Sequence, residues 1–194
     1  MAHGHTRMFI RQLLKNPSET GAIMPSSRKL AARMLELSGP APDSVVAEYG
    51  PGTGAFTRAI LDALQPDQKF FCVEINEDFA RRLRKETPDL SVHVGCASRI
   101  AEYLKEEGLD HVDRVISGLP WAVFPDGLQR KILDAMIAVM PKGGVFVTFA
   151  YLQGLIMPSG RLFRKNLGRR FPDVRKSGVV WENVPPAIVY RCEK

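Results

Sequence analysis

Short apolar runs rich in β-branched and aromatic residues recur along this chain, each followed by a segment with helical spacing. The first run begins at Ser44 and ends in Glu48-Tyr49, and others cover 69–75, 90–94, 112–116 and 145–151. Runs of this length and composition read as buried strands. Between them, apolar residues return every three or four positions in the segment from Ala59 to Leu64 and in 77–85, 100–107 and 128–140. That spacing predicts helices with one buried face. Two further helices precede the first strand. One covers 6–15 and is stopped by Asn16-Pro17; the other covers 28–37, starts after Ser26 or Ser27 as its cap, and ends at Gly39-Pro40. Past the fifth strand the pattern changes. A basic stretch, 160–171, leads into two runs, 174–181 and 187–192, joined by 182–186, which predict an antiparallel hairpin at the end of the sheet. Strands alternating with helices predict an α/β fold with a mostly parallel sheet and helices on both faces. Ligands of such sheets bind past the carboxyl ends of the strands, so the loops after the first four strands are expected to meet at one crevice.

The loop after the first strand carries the most chemistry. Glu48-Tyr49-Gly50-Pro51-Gly52-Thr53-Gly54 places an acid at a strand end and three glycines before a helix. Such a turn lets a ligand approach bare backbone beside the unpaired N–H groups of a helix start. The spacing E-x-G-x-G-x-G differs from the dinucleotide fingerprint and lacks the Lys-Ser/Thr ending of a phosphate loop. It suits a nucleoside without a pyrophosphate, such as S-adenosylmethionine, although a plain glycine-rich turn explains three glycines equally well. Glu74, at the end of the second strand, lies 74 − 54 = 20 residues past the last glycine. That is about the distance at which a carboxylate reaches ribose hydroxyls in nucleotide-binding units.

Charge and cysteine content narrow the setting. The 194 residues suit a single domain, and 27 Lys and Arg against 21 Asp and Glu give a net charge of +6. A basic balance suits an anionic partner, nucleic acid or an acidic membrane surface. Cys72, Cys96 and Cys192 are widely spaced. They are expected to be thiols in a reducing compartment, with no ligand spacing that suggests a metal. No run is long enough to cross a bilayer and no signal peptide is evident, so a cytoplasmic protein that touches a membrane only from its inner side is expected. Helix 6–15 offers the means, since Phe9, Ile10, Leu13 and Leu14 share one arc while Arg7, Arg11 and Lys15 gather on another. The competing reading is a helix packed on its own domain.

With E-Y-G-P-G-T-G, Glu74 and Gly95-Cys96-Ala97-Ser98 together, the chain resembles class I S-adenosylmethionine-dependent methyltransferases. Within that class T-G-A-I-M-P-S-S (20–27), S-G-L-P-W (117–121), the strand end at Tyr151 and N-V-P-P-A (183–187) resemble bacterial phospholipid N-methyltransferases, relatives of ribosomal RNA adenine dimethyltransferases. The resemblance implies a Rossmann-like domain over 1–194, with a membrane-binding helix in 1–16 and a core in 26–194. It implies stepwise methylation of phosphatidylethanolamine toward phosphatidylcholine at an anionic membrane surface, with S-adenosylhomocysteine as the product.

Residue by residue, the resemblance implies that Gly50, Gly52, Thr53 and Gly54 pack against the methionine part of the cofactor, with Glu48 near its ammonium group. Glu74 would take the ribose, Ile75 the adenine face, and Cys96, Ala97 and Ser98 the adenine edge. Ser117 and Leu119 stand where related enzymes orient the acceptor nitrogen, while Trp121 and Tyr151 would face the headgroup. Arg7, Phe9, Ile10, Arg11, Leu14 and Lys15 would meet the lipid surface. Where relatives carry Asp, Asn and a smaller or phenolic residue, this chain has Cys96, Ser117 and Trp121, and it has Tyr49 in place of the commoner Leu. His93 and His111 lie away from the marked loops and are expected to be structural. Two rival readings remain: an RNA adenine N6-methyltransferase, and a non-catalytic cofactor-binding or membrane-associated protein.

Overall fold

A computed structural model describes residues 26–39 and 41–194. The 6–15 helix, with Arg7, Phe9, Ile10, Arg11, Leu14 and Lys15, lies outside the described residues. So does most of the T-G-A-I-M-P-S-S run. Helix α1 (Arg28–Ser38) opens the described core, and the Ser27 hydroxyl accepts from the Leu30 N–H to cap it, an interaction worth about 1 kcal/mol. Gly39, at φ +53°, ends it.

The chain then alternates as expected: β1 (Val46–Tyr49), α2 (Ala55–Leu61), β2 (Phe70–Glu74), α3 (Glu77–Glu86), β3 (Ser91–Val94), α4 (Ile100–Glu106), β4 (Arg114–Ser117), α5 (Asp126–Val139) and β5 (Val145–Tyr151). Two short helices follow, α6 (Leu152–Ile156) and α7 (Pro158–Gly168), then β6 (Asp173–Lys176) and β7 (Ala187–Glu193). The sheet has seven strands in the order β3-β2-β1-β4-β5-β7-β6. The first five are parallel, whereas β7 pairs antiparallel with both β5 and β6. Strand order reverses between β1 and β4, which is where an open α/β sheet leaves a crevice at its carboxyl edge.

Side chains alternate across the strands and fill two layers. Ala47 and Tyr49 of β1 join Phe71, Val115 and Phe146 beneath α4, α5 and α7. Val46, Ile116 and Val147 face Leu30 and Met34 of α1 and Phe56 and Ile60 of α2. Cys72 and Val92 face Ala80 and Leu83 of α3. Burial of both faces explains why the strands read as continuous apolar runs.

The hairpin forms, but its first strand is shorter than the sequence suggests. Strand β6 stops at Lys176, and beyond it the only pairing found among the described residues is an isolated bridge from Val180 to Ala187. Ser177 ends the regular ladder: its hydroxyl, in place of a backbone carbonyl, accepts the Val189 N–H at 2.9 Å. The basic stretch, 160–171, lies in α7 and the turn after it, and α6 and α7 pack so closely that a Cβ on Gly160 would fall 2.0 Å from the Gly154 carbonyl.

Candidate active site

A crevice of about 340 Å³ opens at the carboxyl edge of the sheet. Its walls come from the glycine turn after β1, Glu74, Ile75 and Phe79 after β2, residues 118–124 after β4, and residues 149–155 around the end of β5. Met157, Gly160 and Phe163 of the α6–α7 region and Tyr190 of β7 close the far side. The size suits a small-molecule site, and the walls are mostly apolar.

The glycine turn is shaped by its backbone. Gly50, Gly52 and Gly54 have φ of +71°, +53° and +77°, a region that side chains strain to enter. Space is the second constraint, because a Cβ on Gly50 would meet the Leu119 side chain at 2.8 Å. One on Gly118 would meet the Gly50 carbonyl oxygen at 2.7 Å. The turn after β1 and the loop after β4 therefore touch through two glycines, and the crevice floor lies along that contact.

Glu74 pins the turn to the second strand. One carboxylate oxygen accepts the Gly52 N–H at 3.0 Å and the other accepts the Asn76 N–H at 2.8 Å. Burial raises its pKa, and the hydrogen bonds from backbone N–H groups hold that rise down. Glu74 is thus fixed on the crevice wall with acceptor capacity left for a hydroxyl donor.

Glu48 is placed elsewhere. Alternation along β1 sends it to the face opposite Tyr49, where it is fully buried beneath α2 and does not line the crevice. One oxygen accepts the Thr57 hydroxyl at 2.6 Å and the Cys72 thiol at 3.4 Å. The other has no partner among the described residues. Burial is the main cause that pushes this carboxyl up to about 7, and the same burial together with the Glu48 charge raises the Cys72 thiol.

Ser117 is likewise turned inward. It is fully buried, and its hydroxyl accepts from the Trp121 indole N–H at 3.1 Å and from the Leu119 N–H at 3.3 Å. Its carbonyl accepts the Thr148 hydroxyl at 3.1 Å. Trp121 forms crevice wall, yet it is 2% exposed and stacks on Phe163 with ring centres 4.7 Å apart. Phe124 and Phe146 meet it edge-on. Tyr151 lines the crevice half-buried, with burial raising its hydroxyl pKa.

Of the residues singled out from sequence, Gly50, Gly52, Thr53, Glu74, Ile75, Leu119, Trp121 and Tyr151 lie on the crevice. Glu48, Gly54, Cys96, Ala97, Ser98 and Ser117 do not. Gly54 is the N-cap of α2, its N–H bonded to the Pro51 carbonyl at 2.8 Å. The loop after β3 also departs from the expected convergence, and the loop after β5 takes its place. Strand β3 is one of the two edge strands, and Ala97–Arg99 form a 3-10 turn that leads straight into α4, with Ala97 buried in the core and the Ser98 hydroxyl bonded to the Cys96 sulfur. His93 and His111 are away from the crevice: His93 lies between Glu106 and Glu107, and His111 is beside Asp113.

Sequence reasoning missed a buried polar group behind the crevice. The Gln129 amide donates to the carbonyls of Trp121, Phe124 and Ser159 at 2.9, 3.1 and 3.2 Å. Its oxygen accepts from Asn166 of α7 at 3.0 Å. This pair ties the loop after β4 to α5 and α7. Asn183 does a similar job on the other side, its side-chain oxygen accepting the Ser27 N–H at 2.9 Å and its amide donating to the Pro185 carbonyl at 2.7 Å. The N-x-P-P signal marked the position of Asn183; nothing in the local pattern marked Gln129.

These residues suit S-adenosylmethionine. The turn offers bare backbone, Glu74 an anchored acceptor, and Ile75, Phe79 and Leu119 apolar surface. No protein-family model matches the chain. Over 188 residues, 95% of this chain and 94% of the relative, it is 28% identical to an ornithine lipid N-methyltransferase of Singulisphaera acidiphila. It is 31% identical over 117 residues to ribosomal RNA small subunit methyltransferase A of Bordetella pertussis, a match covering 52% of this chain and 42% of that protein. Among solved structures, N-methyltransferase NodS from Bradyrhizobium japonicum is similar in fold, with a TM-score of 0.65 over 86% of this chain and 95% of NodS at 13% identity. With this strand order, this glycine turn and a likeness to a methyltransferase along nearly its whole length, the chain has the fold of the class I S-adenosylmethionine-dependent methyltransferases.

Proposed function

We propose that this chain is an S-adenosylmethionine-dependent methyltransferase that acts on the amine headgroup of a membrane lipid, converting phosphatidylethanolamine toward phosphatidylcholine. The observation that carries the reading is the end-to-end likeness to a lipid N-methyltransferase, since ornithine and ethanolamine both present a primary amine. The crevice supports it. Its walls are mostly apolar, and Met157 on its wall and Ile156 beside it are exposed. Trp181 and Val184 are also exposed, in the loop that enters β7 where Ala187 pairs with Tyr151 at the crevice end of the sheet. A rim of this kind suits partial burial in a lipid headgroup layer. The basic helix expected from the sequence over 6–15 would add electrostatic attraction at about 1 kcal/mol per Lys or Arg near an anionic surface. Among the described residues no helix is long and apolar enough to cross a membrane.

The cofactor, when bound, supplies an electrophilic methyl group on a sulfonium. The protein's part is to hold the acceptor nitrogen in line, which is worth roughly 7–11 kcal/mol in well-oriented reactions. An amine with a lysine-like pKa of about 10.4 in water must first shed its proton. An apolar crevice that excludes water favours the neutral amine. The Leu119-Pro120-Trp121 wall and Tyr151 would hold it there, and Tyr151 is a half-buried aromatic available for a cation–π contact with partly methylated headgroups.

Transfer of tritiated methyl from the cofactor to phosphatidylethanolamine vesicles, ornithine lipid vesicles and small-subunit ribosomal RNA tests the reading. Label in phosphatidylethanolamine is the expected result, and label confined to ornithine lipid would replace the substrate. The partial match to the ribosomal RNA enzyme favours one alternative, methylation of RNA adenine, and label in RNA alone would establish it.

A further inference from the structure

A second cavity, of about 520 Å³, adjoins the crevice and shares Leu155, Gly160 and Tyr190 with it. Its remaining walls are cationic: Arg161, Arg164 and Lys165 from α7 and Lys176 from the end of β6. All four are exposed, and none has a carboxylate partner among the described residues. Their neighbours are treated differently. Arg170 is paired with Asp134 at 2.6 Å, Arg175 with Asp173 at 2.8 Å, and Arg191 with Glu193 at 2.8 Å. The concentration also has a cost, because like charges three and four positions apart on one helix face repel. A concave site with four unneutralised cations is complementary to an anion, and guanidinium groups hold phosphate oxygens by paired hydrogen bonds.

The shared wall bears on what that anion is. A ligand spanning both cavities must carry an anionic group on one side and a group suited to an apolar, aromatic crevice on the other. We infer that Arg161, Arg164, Lys165 and Lys176 form a subsite for the phosphodiester of the lipid substrate, holding the phosphate while the amine enters the crevice past Tyr190 and Leu155. The inference rests on the lipid reading and deepens it: the preferred substrate carries a phosphate between its amine and its acyl chains. It also separates substrate recognition from general adsorption to an anionic bilayer, which needs no cavity.

The test uses soluble probes and the full chain. Methyl transfer is measured with dihexanoyl phosphatidylethanolamine below its micelle concentration and with a phosphate-free alkyl ether of ethanolamine. Wild type, Arg164→Ala/Lys176→Ala and the conservative Arg164→Lys are compared, with S-adenosylhomocysteine affinity as the check on folding. The double variant is expected to raise KM for the phosphate-bearing probe about 10-fold or more while kcat holds, the signature of lost uniform binding. Its KM for the phosphate-free probe stays unchanged, and Arg164→Lys lies between. Inorganic phosphate competes with the phosphate-bearing probe on the wild type. An unchanged KM, an equal loss for both probes, or absence of phosphate competition overturns the subsite while leaving a lipid methyltransferase in place. Loss of binding to phosphatidylglycerol vesicles with an unaltered KM assigns the cluster to surface adsorption and overturns it too. A wild type that methylates neither probe nor phosphatidylethanolamine vesicles overturns the lipid reading and the subsite together, and weakened RNA binding in the double variant would then reassign these cations.

Discussion

The Trp121 indole N–H donates to the Ser117 hydroxyl at 3.1 Å, across one turn of a loop in which both side chains are buried. The serine that stands where related enzymes present an amide therefore holds the crevice wall in this chain. Ser117→Ala leaves a buried indole donor unpaired and should cost about 1–3 kcal/mol. Trp121→Phe keeps much of the stack on Phe163 and should cost less than Trp121→Ala, for which removal of a buried aromatic is worth about 3–5 kcal/mol. Urea denaturation of the three variants checks the order. A Ser117→Ala protein with undiminished stability and abolished methyl transfer would return this hydroxyl to a direct role at the acceptor.

The contact between Gly118 and the glycine turn predicts a second effect. A Cβ at 2.7 Å from the Gly50 carbonyl oxygen has no flexible neighbour to displace, so Gly118→Ala must push the loop after β4 away from the turn after β1. The expected penalty is about 1–3 kcal/mol in stability. Calorimetry should also show weakened binding of S-adenosylhomocysteine, because the crevice floor lies at this contact. Unchanged affinity would show that the two loops are not coupled through the cofactor site.

The strands and the glycine turn were legible because their causes are local. Strands buried on both faces favour apolar residues at most positions, and positive φ at Gly50, Gly52 and Gly54 favours glycine. Glu74 could be found from spacing because the distance from a turn to the next strand end is set by one intervening helix. The directions of Glu48 and Ser117 were not legible. Strand register sends Glu48 under α2, and the position of the Trp121 nitrogen turns Ser117 inward. Cys96, Ala97 and Ser98 follow a similar logic, since the 3-10 turn that buries Ala97 and bonds the Ser98 hydroxyl to Cys96 is not written in the motif. Gln129 and Asn166 look like ordinary polar positions on amphipathic helices, and only the packing of α5 against α7 shows that they are fully buried.

Gln129 accordingly carries a prediction of its own. Gln129→Leu keeps the volume roughly constant but strips the side-chain amide from three carbonyls and an acceptor from Asn166. Buried polar groups left unsatisfied cost about 1–3 kcal/mol each, so a loss of about 3 kcal/mol or more is expected in urea. Methyl transfer should fall further than the folded fraction does, since the loosened segment is the crevice wall from Trp121 to Phe124. A loss of stability with full activity per folded molecule would separate this network from the site.

Glu48 predicts a pH dependence of stability. Its carboxyl is raised in the folded protein from about 4.5 to about 7, with burial first among the causes and Thr57, Cys72, Glu74 and Arg58 modifying it. Below pH 4.5 both the folded and unfolded chains hold the proton, so the group has no effect. Between 4.5 and 7 the folded chain holds a proton that the unfolded chain has released, and stability falls as pH rises. Above about 7 the penalty is complete, at roughly 3 kcal/mol from the size of the shift. Glu48→Gln cannot ionise, and its oxygen can still accept the Thr57 hydroxyl. Its stability should therefore decline less between pH 5 and pH 8 than that of the wild type. Some decline remains, because Glu74 is shifted in the same direction by burial. The difference in slope is the measurement that matters, since the new amide places a buried donor whose cost is the same at both pH values. Parallel wild-type and variant curves from pH 5 to 8 would mean that Glu48 is ionised throughout, held in that state by an interaction at its second oxygen.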